Sequence, residues 1–94
     1  MRVSWLEAAL LDLDEIEAYV AADRSAVAVE VVLKIIRAVS LIGEQPGIGR
    51  VGRVPGTKEL VVSGLPYIVP YRVKDEVVQV LRVYHPSRKW PKGL

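Results

Sequence analysis

The chain predicts an α+β fold, with an N-terminal helical hairpin packed on one face of a small antiparallel sheet. Three observations lead there. Apolar residues recur with a 3.6-residue period across residues 6–44 and alternate with a period of two across residues 58–84. Between the two regimes stands Gln45-Pro46-Gly47, a break that neither period crosses. Ninety-four residues suffice for one core, so residues 1–94 are expected to form a single domain.

In the first helix Leu6, Ala9, Leu10, Leu13, Ile16 and Val20 form the apolar stripe, and Glu7, Asp14 and Glu15 fall off it. Acidic residues gather in its early turns, where the helix dipole favours negative charge. The second helix is expected from about Ser25 to Glu44, with Ala28, Val31, Val32, Ile35, Ala38, Val39 and Ile42 on one stripe. Asp23 or Ser25 is expected to cap its start by accepting orphan backbone N–H groups. The connection is short, so the helices should lie antiparallel. Valine lowers helix propensity, but length and periodicity outweigh that here. Pro46 disfavours helical geometry in the residue before it and ends the helix.

The sheet begins with Lys58–Val62, turns at Ser63-Gly64, continues as Pro66–Val73, and turns again at Lys74-Asp75-Glu76 into Val77–Tyr84. Tyr67, Val69, Tyr71 and Val73 alternate on one face, with Ile68, Pro70 and Arg72 on the other. Tyr67 and Tyr71 read as core residues, and Trp5 as a packing anchor for the first helix. Pro70 has no N–H to donate, so its strand needs a free edge or a bulge there. A three-residue turn at Asp75 would put Arg72 and Arg82 on one face, and a two-residue turn would put them on opposite faces. A short strand within Met1–Trp5 completes the order β-α-α-β-β-β.

Composition narrows the function. There is no cysteine and one histidine, so thiolate chemistry is excluded and a protein-built zinc site is not expected. No cofactor is implied. No apolar run approaches the roughly 18 residues of a membrane span, and the start turns acidic where a signal peptide would be apolar. A cytoplasmic protein is expected, with no membrane partner. The chain is 51% hydrophobic, with mean hydropathy +0.26. That richness in a short chain implies an exposed apolar groove along the hairpin.

Charge is divided unevenly. Residues 1–44 carry four Lys/Arg and eight Asp/Glu, whereas residues 45–94 carry nine and three, which together give the net +2. A basic half suits an anionic partner. Arg50, Arg53 and Lys58 crowd a glycine- and proline-rich segment before the first predicted sheet strand. Three readings are open for them: gripping phosphate, meeting an acidic protein, or forming a solvated rim.

"GIGRVGRVPGTKELVV", "PYIVPYRV" and "VLRVYHPSRKWP", preceded by "W-x₂-A-x₃-L-x₂-I-x₂-Y" and "P-x₂-G-R", resemble the ParE/RelE superfamily of toxins from bacterial type II toxin–antitoxin modules. The resemblance spans essentially the whole chain. It implies a growth-inhibiting toxin held inactive by an antitoxin encoded beside it, with operator DNA reached only through that antitoxin. Two mechanisms divide the superfamily: ParE-like poisoning of DNA gyrase, and RelE-like cleavage of messenger RNA in the ribosome. A degenerate member retaining only antitoxin binding is a third possibility.

Cleavage needs cations on the scissile phosphate and groups to move protons. Under that mechanism the resemblance implies His85, Arg82 and Arg88 as catalytic residues. Several RelE-type toxins carry arginine after the tyrosine of "G-Y-R", where this chain has Ile68 after Tyr67. That incomplete set favours the gyrase reading, in which His85 bonds locally and orients the C-terminal tail. Arg50, Arg53, Lys58 and Arg72, with Tyr84 and Trp90 as stacking platforms, are the candidate target-binding residues. Leu13, Ile16, Val20, Val31 and Ile35 are the candidate antitoxin-binding residues, seating a partly helical segment.

Overall fold

The computed structural model of the chain describes residues 1–87. Its elements are β1 (Arg2–Trp5), α1 (Glu7–Asp23), α2 (Ser25–Glu44), β2 (Arg50–Val51), β3 (Lys58–Val61), β4 (Ile68–Lys74) and β5 (Val77–Val80). They build one five-stranded sheet in the order β1-β5-β4-β3-β2. The two helices cover one face. The α+β expectation is met, with two additions. β1 runs parallel to β5, from Arg2 beside Val77 to Trp5 beside Val80. Arg50–Val51, read from sequence as loop, is a fifth strand antiparallel to β3.

Both helices bury their periodic stripes against the sheet. Ala9 and Ile16 from α1 meet Val31, Ile35, Val39 and Ile42 from α2 over Tyr67, Val69, Tyr71, Val78 and Val80. Trp5 packs against this core, as do Leu13 and Val20. Leu10, by contrast, is 47% exposed, and the inward position beside Leu13 belongs to Asp12. The expected caps are also absent. Arg24 is the N-cap of α2 and makes no side-chain cap bond. It is a one-residue break, and its own N–H still donates to the Val20 carbonyl of α1 at 2.8 Å.

The central strand β4 contains Pro70, and a bulge in its partner strand accommodates the proline. β4 and β5 pair in register from Lys74–Val77 to Tyr71–Val80. The Leu81 N–H then donates to the Pro70 carbonyl at 2.9 Å, and Ile68 and Tyr84 exchange both backbone bonds at 2.9 and 3.0 Å. Two residues separate the paired positions on β4 and three on the other side, so Arg82 and Val83 share Val69. Regular strand geometry therefore ends at Val80 rather than Tyr84, and the bulge supplies what the proline requires.

Asp75 and Glu76 have φ of 51° and 61°. They form the two-residue turn that places Arg72 opposite Gln79 and leaves Arg82 on the other face. Positive φ at both central positions is the type I′ pattern, which favours Asn-Gly. Replacing Glu76 by glycine is therefore expected to raise stability by about 0.5–1 kcal/mol. The check is a urea unfolding midpoint, and a drop would show that the Glu76 side chain contributes more than the strain costs.

Candidate functional site

The sheet face turned away from the helices gathers the charged candidates. Arg50 pairs with Glu59 across β2 and β3, Glu59 pairs with Pro70, and Lys58 pairs with Tyr71. Tyr71 is in the core, so Lys58 points to the helix side of the sheet edge. Arg50, Glu59, Pro70, Arg72, Gln79 and Tyr84 share the opposite face. Arg50 and Arg72 are thus brought to one surface, and Lys58 is not among them.

Glu59 organises the basic loop. Its side chain is 2% exposed. It accepts from Arg50 Nη2 at 3.4 Å and from the Arg53 backbone N–H at 2.9 Å. Between them, Val54-Pro55-Gly56-Thr57 closes a turn through the Thr57 N–H and hydroxyl, which donate to the Val54 carbonyl at 3.1 and 2.7 Å. Gly56 supplies the positive φ of 82° that the position after proline in a type II turn demands. The cations are therefore displayed on an ordered hairpin. Tyr84 is 6% exposed beneath them. Burial, reinforced by the Glu59 charge, pushes its phenol above the usual tyrosine range, against the opposite pull of Arg53 and Arg50. So buried a ring is no open stacking platform, which corrects the sequence expectation.

The other side of the loop is pinned by Tyr71. Its hydroxyl donates to the Pro46 carbonyl at 2.7 Å and accepts from the Gly49 N–H at 2.9 Å. Burial raises this phenol too, partly offset by the Gly49 bond. A Cβ at Gly49 would stand 2.7 Å from that hydroxyl, so only glycine admits the contact.

Arg82 is spent inside the fold. Its Nε and Nη2 donate to Asp12 Oδ2 and Oδ1 at 2.6 and 2.8 Å, and the Val83 N–H donates to Oδ2 at 3.0 Å. The bond to Asp12, helped by its charge, lifts the guanidinium pKa further, against burial. This bidentate pair joins α1 to the bulge and engages the Arg82 guanidinium within the fold. His85 is half-buried, and its Nδ1 accepts from the Ser87 N–H at 3.1 Å and contacts the Ser87 hydroxyl at 2.6 Å. Its ring stands edge-on to Tyr67, with centroids 5.8 Å apart. Arg72 Nε donates to Gln79 Oε1 at 2.6 Å on the exposed surface. Arg88 and Trp90 lie outside the described residues.

The five residues expected to seat an antitoxin are used by the core itself. Ile16, Val31 and Ile35 are buried there, with Leu13 and Val20 packed against them. What α2 exposes instead is Val29, Leu33 and Ile36 on its outer face. Beside it, Ala38, Leu41, Ile48, Leu60 and Val62 line a groove of about 460 Å³ between α2 and β3, flanked by Lys34 and Arg37. β2 reaches only to Glu59, so from Leu60 onward no described strand lies beside the outer edge of β3.

A sequence model described as the ParE toxin of the type II toxin–antitoxin system, parDE, matches residues 3–90. The chain belongs to this ParE toxin family. It is similar to the Sinorhizobium fredii protein Y4kP, 43% identical over 99% of this chain and 96% of that one. It is also similar to Toxin RelE2 of Caulobacter vibrioides, 32% identical over 93% of this chain and 97% of that one. Among solved structures, the chromosomal ParDE system from P. aeruginosa superposes with a TM-score of 0.84 at 30% identity, covering 90% of this chain and 95% of that one. This ParE-family chain is thus a toxin of a type II toxin–antitoxin system. Two of its key residues, Asp12 and Glu59, were not singled out from sequence. Each had a signal: Asp12 is an acid at a core-facing helical position, and Glu59 is an acid amid basic residues.

Proposed function

We propose that this toxin acts as a ParE-like poison of DNA gyrase and is held inactive by an antitoxin encoded beside it. The observation that carries the non-hydrolytic reading is the internal engagement of the cleavage candidates. Arg82 is committed to Asp12, and His85 Nδ1 is turned to Ser87. A transition state needs groups aimed at the reacting atoms rather than satisfied elsewhere. The likeness to Toxin RelE2 keeps ribosome-dependent RNA cleavage as the second reading. Induction in a bacterial host tests both. Gyrase poisoning brings on the DNA-damage response before protein synthesis falls, whereas RNA cleavage stops translation first. Unimpaired growth would leave only antitoxin binding.

For the antitoxin, the support is the groove between α2 and β3. An extended segment there would find apolar walls, an outer edge at Val61 that no described strand covers, and Lys34 and Arg37 to meet acidic side chains. Lys34→Glu with Arg37→Glu is expected to weaken antitoxin capture about tenfold and to flatten its salt dependence. Titration of the labelled antitoxin at two salt concentrations checks this, and unchanged capture would place the antitoxin elsewhere.

A further inference from the structure

The Asp12–Arg82 pair does more than join two elements. Past Leu81, the last strand carries one residue more than β4 can pair, and the Val83 N–H has no β4 carbonyl opposite it. Asp12 Oδ2 accepts that N–H at 3.0 Å. With its register unbroken, the strand would set Val83 opposite Ile68 and turn Tyr84 toward the helices. A one-residue slip reverses every side chain beyond it. In the bulged strand Val83 joins the core, and Tyr84 pairs with Ile68 on the far face, close enough to Glu59, Arg53 and Arg50 to feel their charges.

We propose that Asp12 is a positioning residue for toxicity: by accepting the Val83 N–H it holds the bulge that assigns Tyr84 to the cationic face. Arg82 neutralises the buried carboxylate that this task requires. The inference rests on the cationic face being the surface that meets the target, and it goes beyond the choice between gyrase and ribosome.

Two full-length variants test it. Asp12→Leu/Arg82→Met removes the acceptor and both charges together, so no ion is left buried alone. It is expected to need at least about tenfold more inducer to arrest growth, while still capturing the antitoxin. In the second variant, Asp12→Leu is combined with deletion of Arg82 and with Pro70→Val, which supplies the N–H that a strand without the bulge needs there. Leu81, Val83 and Tyr84 then fall opposite positions 70, 69 and 68 in an ordinary ladder that needs no acceptor. Toxicity is expected to return to within about twofold of wild type. Absorbance titration of each protein against its Tyr84→Phe counterpart reads the phenol directly: wild type and deletion variant should titrate alike, and the double substitution apart from them, because its phenol no longer faces Glu59, Arg53 and Arg50. A folded deletion variant that stays inactive overturns the proposal, even if the double substitution fails to fold. So does a double substitution as toxic as wild type. A wild-type chain that never arrests growth would instead defeat the toxin reading itself.

Discussion

Replacing Arg82 with alanine is expected to destabilise the fold by about 3–5 kcal/mol, the range for removing one partner of a buried ion pair. The Asp12 side chain is 11% exposed, and its carboxylate receives two charged N–H groups and one backbone N–H. Without Arg82 the buried carboxylate keeps only the Val83 N–H as a donor. Arg72→Ala is the control. That arginine lies on the adjacent strand, exposed, bonded to the neutral Gln79, and its loss should change stability by about 0.5 kcal/mol or less. In a domain of this size each kcal/mol moves the melting temperature by roughly 4–8 °C. Thermal melts of the two variants should therefore separate cleanly. Equal melts would mean that the Asp12 carboxylate is solvated enough to stand alone.

The contrast between those two arginines shows where sequence reading stops. Both sit in β-region segments with alternating neighbours, and nothing local distinguishes them. The difference is made by Asp12, seventy positions away in sequence, and by a bulge that Pro70 hints at without locating. Local signals did locate α2, whose expected bounds at Ser25 and Glu44 agree with the structure. Twenty residues of sustained period leave little freedom. Non-local pairings had no such signal. β1 lies beside β5 although most of the chain separates them, and β2 exists as a strand only because the Val54–Thr57 turn folds it onto β3.

The candidate site divides in the same way. The cations of the basic hairpin were legible because glycine and proline mark a turn. Which of them share a face was not, since that depends on register: Arg50 follows Glu59 to one side and Lys58 follows Tyr71 to the other. For a related reason most of the residues expected to meet an antitoxin are taken up by the domain's own core. A helical stripe identifies an apolar face, and in a two-layer fold the domain's own sheet claims the best one. The residues left for a partner are the off-stripe ones, such as Val29, Leu33 and Ile36.

Arg53→Gln is expected to reduce toxicity by more than tenfold while leaving stability within about 0.5 kcal/mol. The bond that Arg53 gives to Glu59 comes from its backbone N–H, which glutamine also supplies, so the hairpin keeps its anchor. Glutamine is preferred to glutamate because a second carboxylate would stand beside the buried Glu59. If the guanidinium meets an anionic target, its contribution is largely Coulombic, and target binding by the wild type should weaken as salt rises. His85→Ala supplies the opposing arm. A general acid or base contributes about 10²–10⁴-fold, so RNA cleavage through His85 would all but vanish. A gyrase poison would lose only what the Ser87 bonds and the Tyr67 contact contribute to orienting the chain end. Induction series of both variants, with circular dichroism on each, give the answer. Toxicity lost in Arg53→Gln and kept in His85→Ala is the expected pattern. The reverse would make this toxin a ribonuclease, and full toxicity in both would reduce the basic hairpin to a solvated rim.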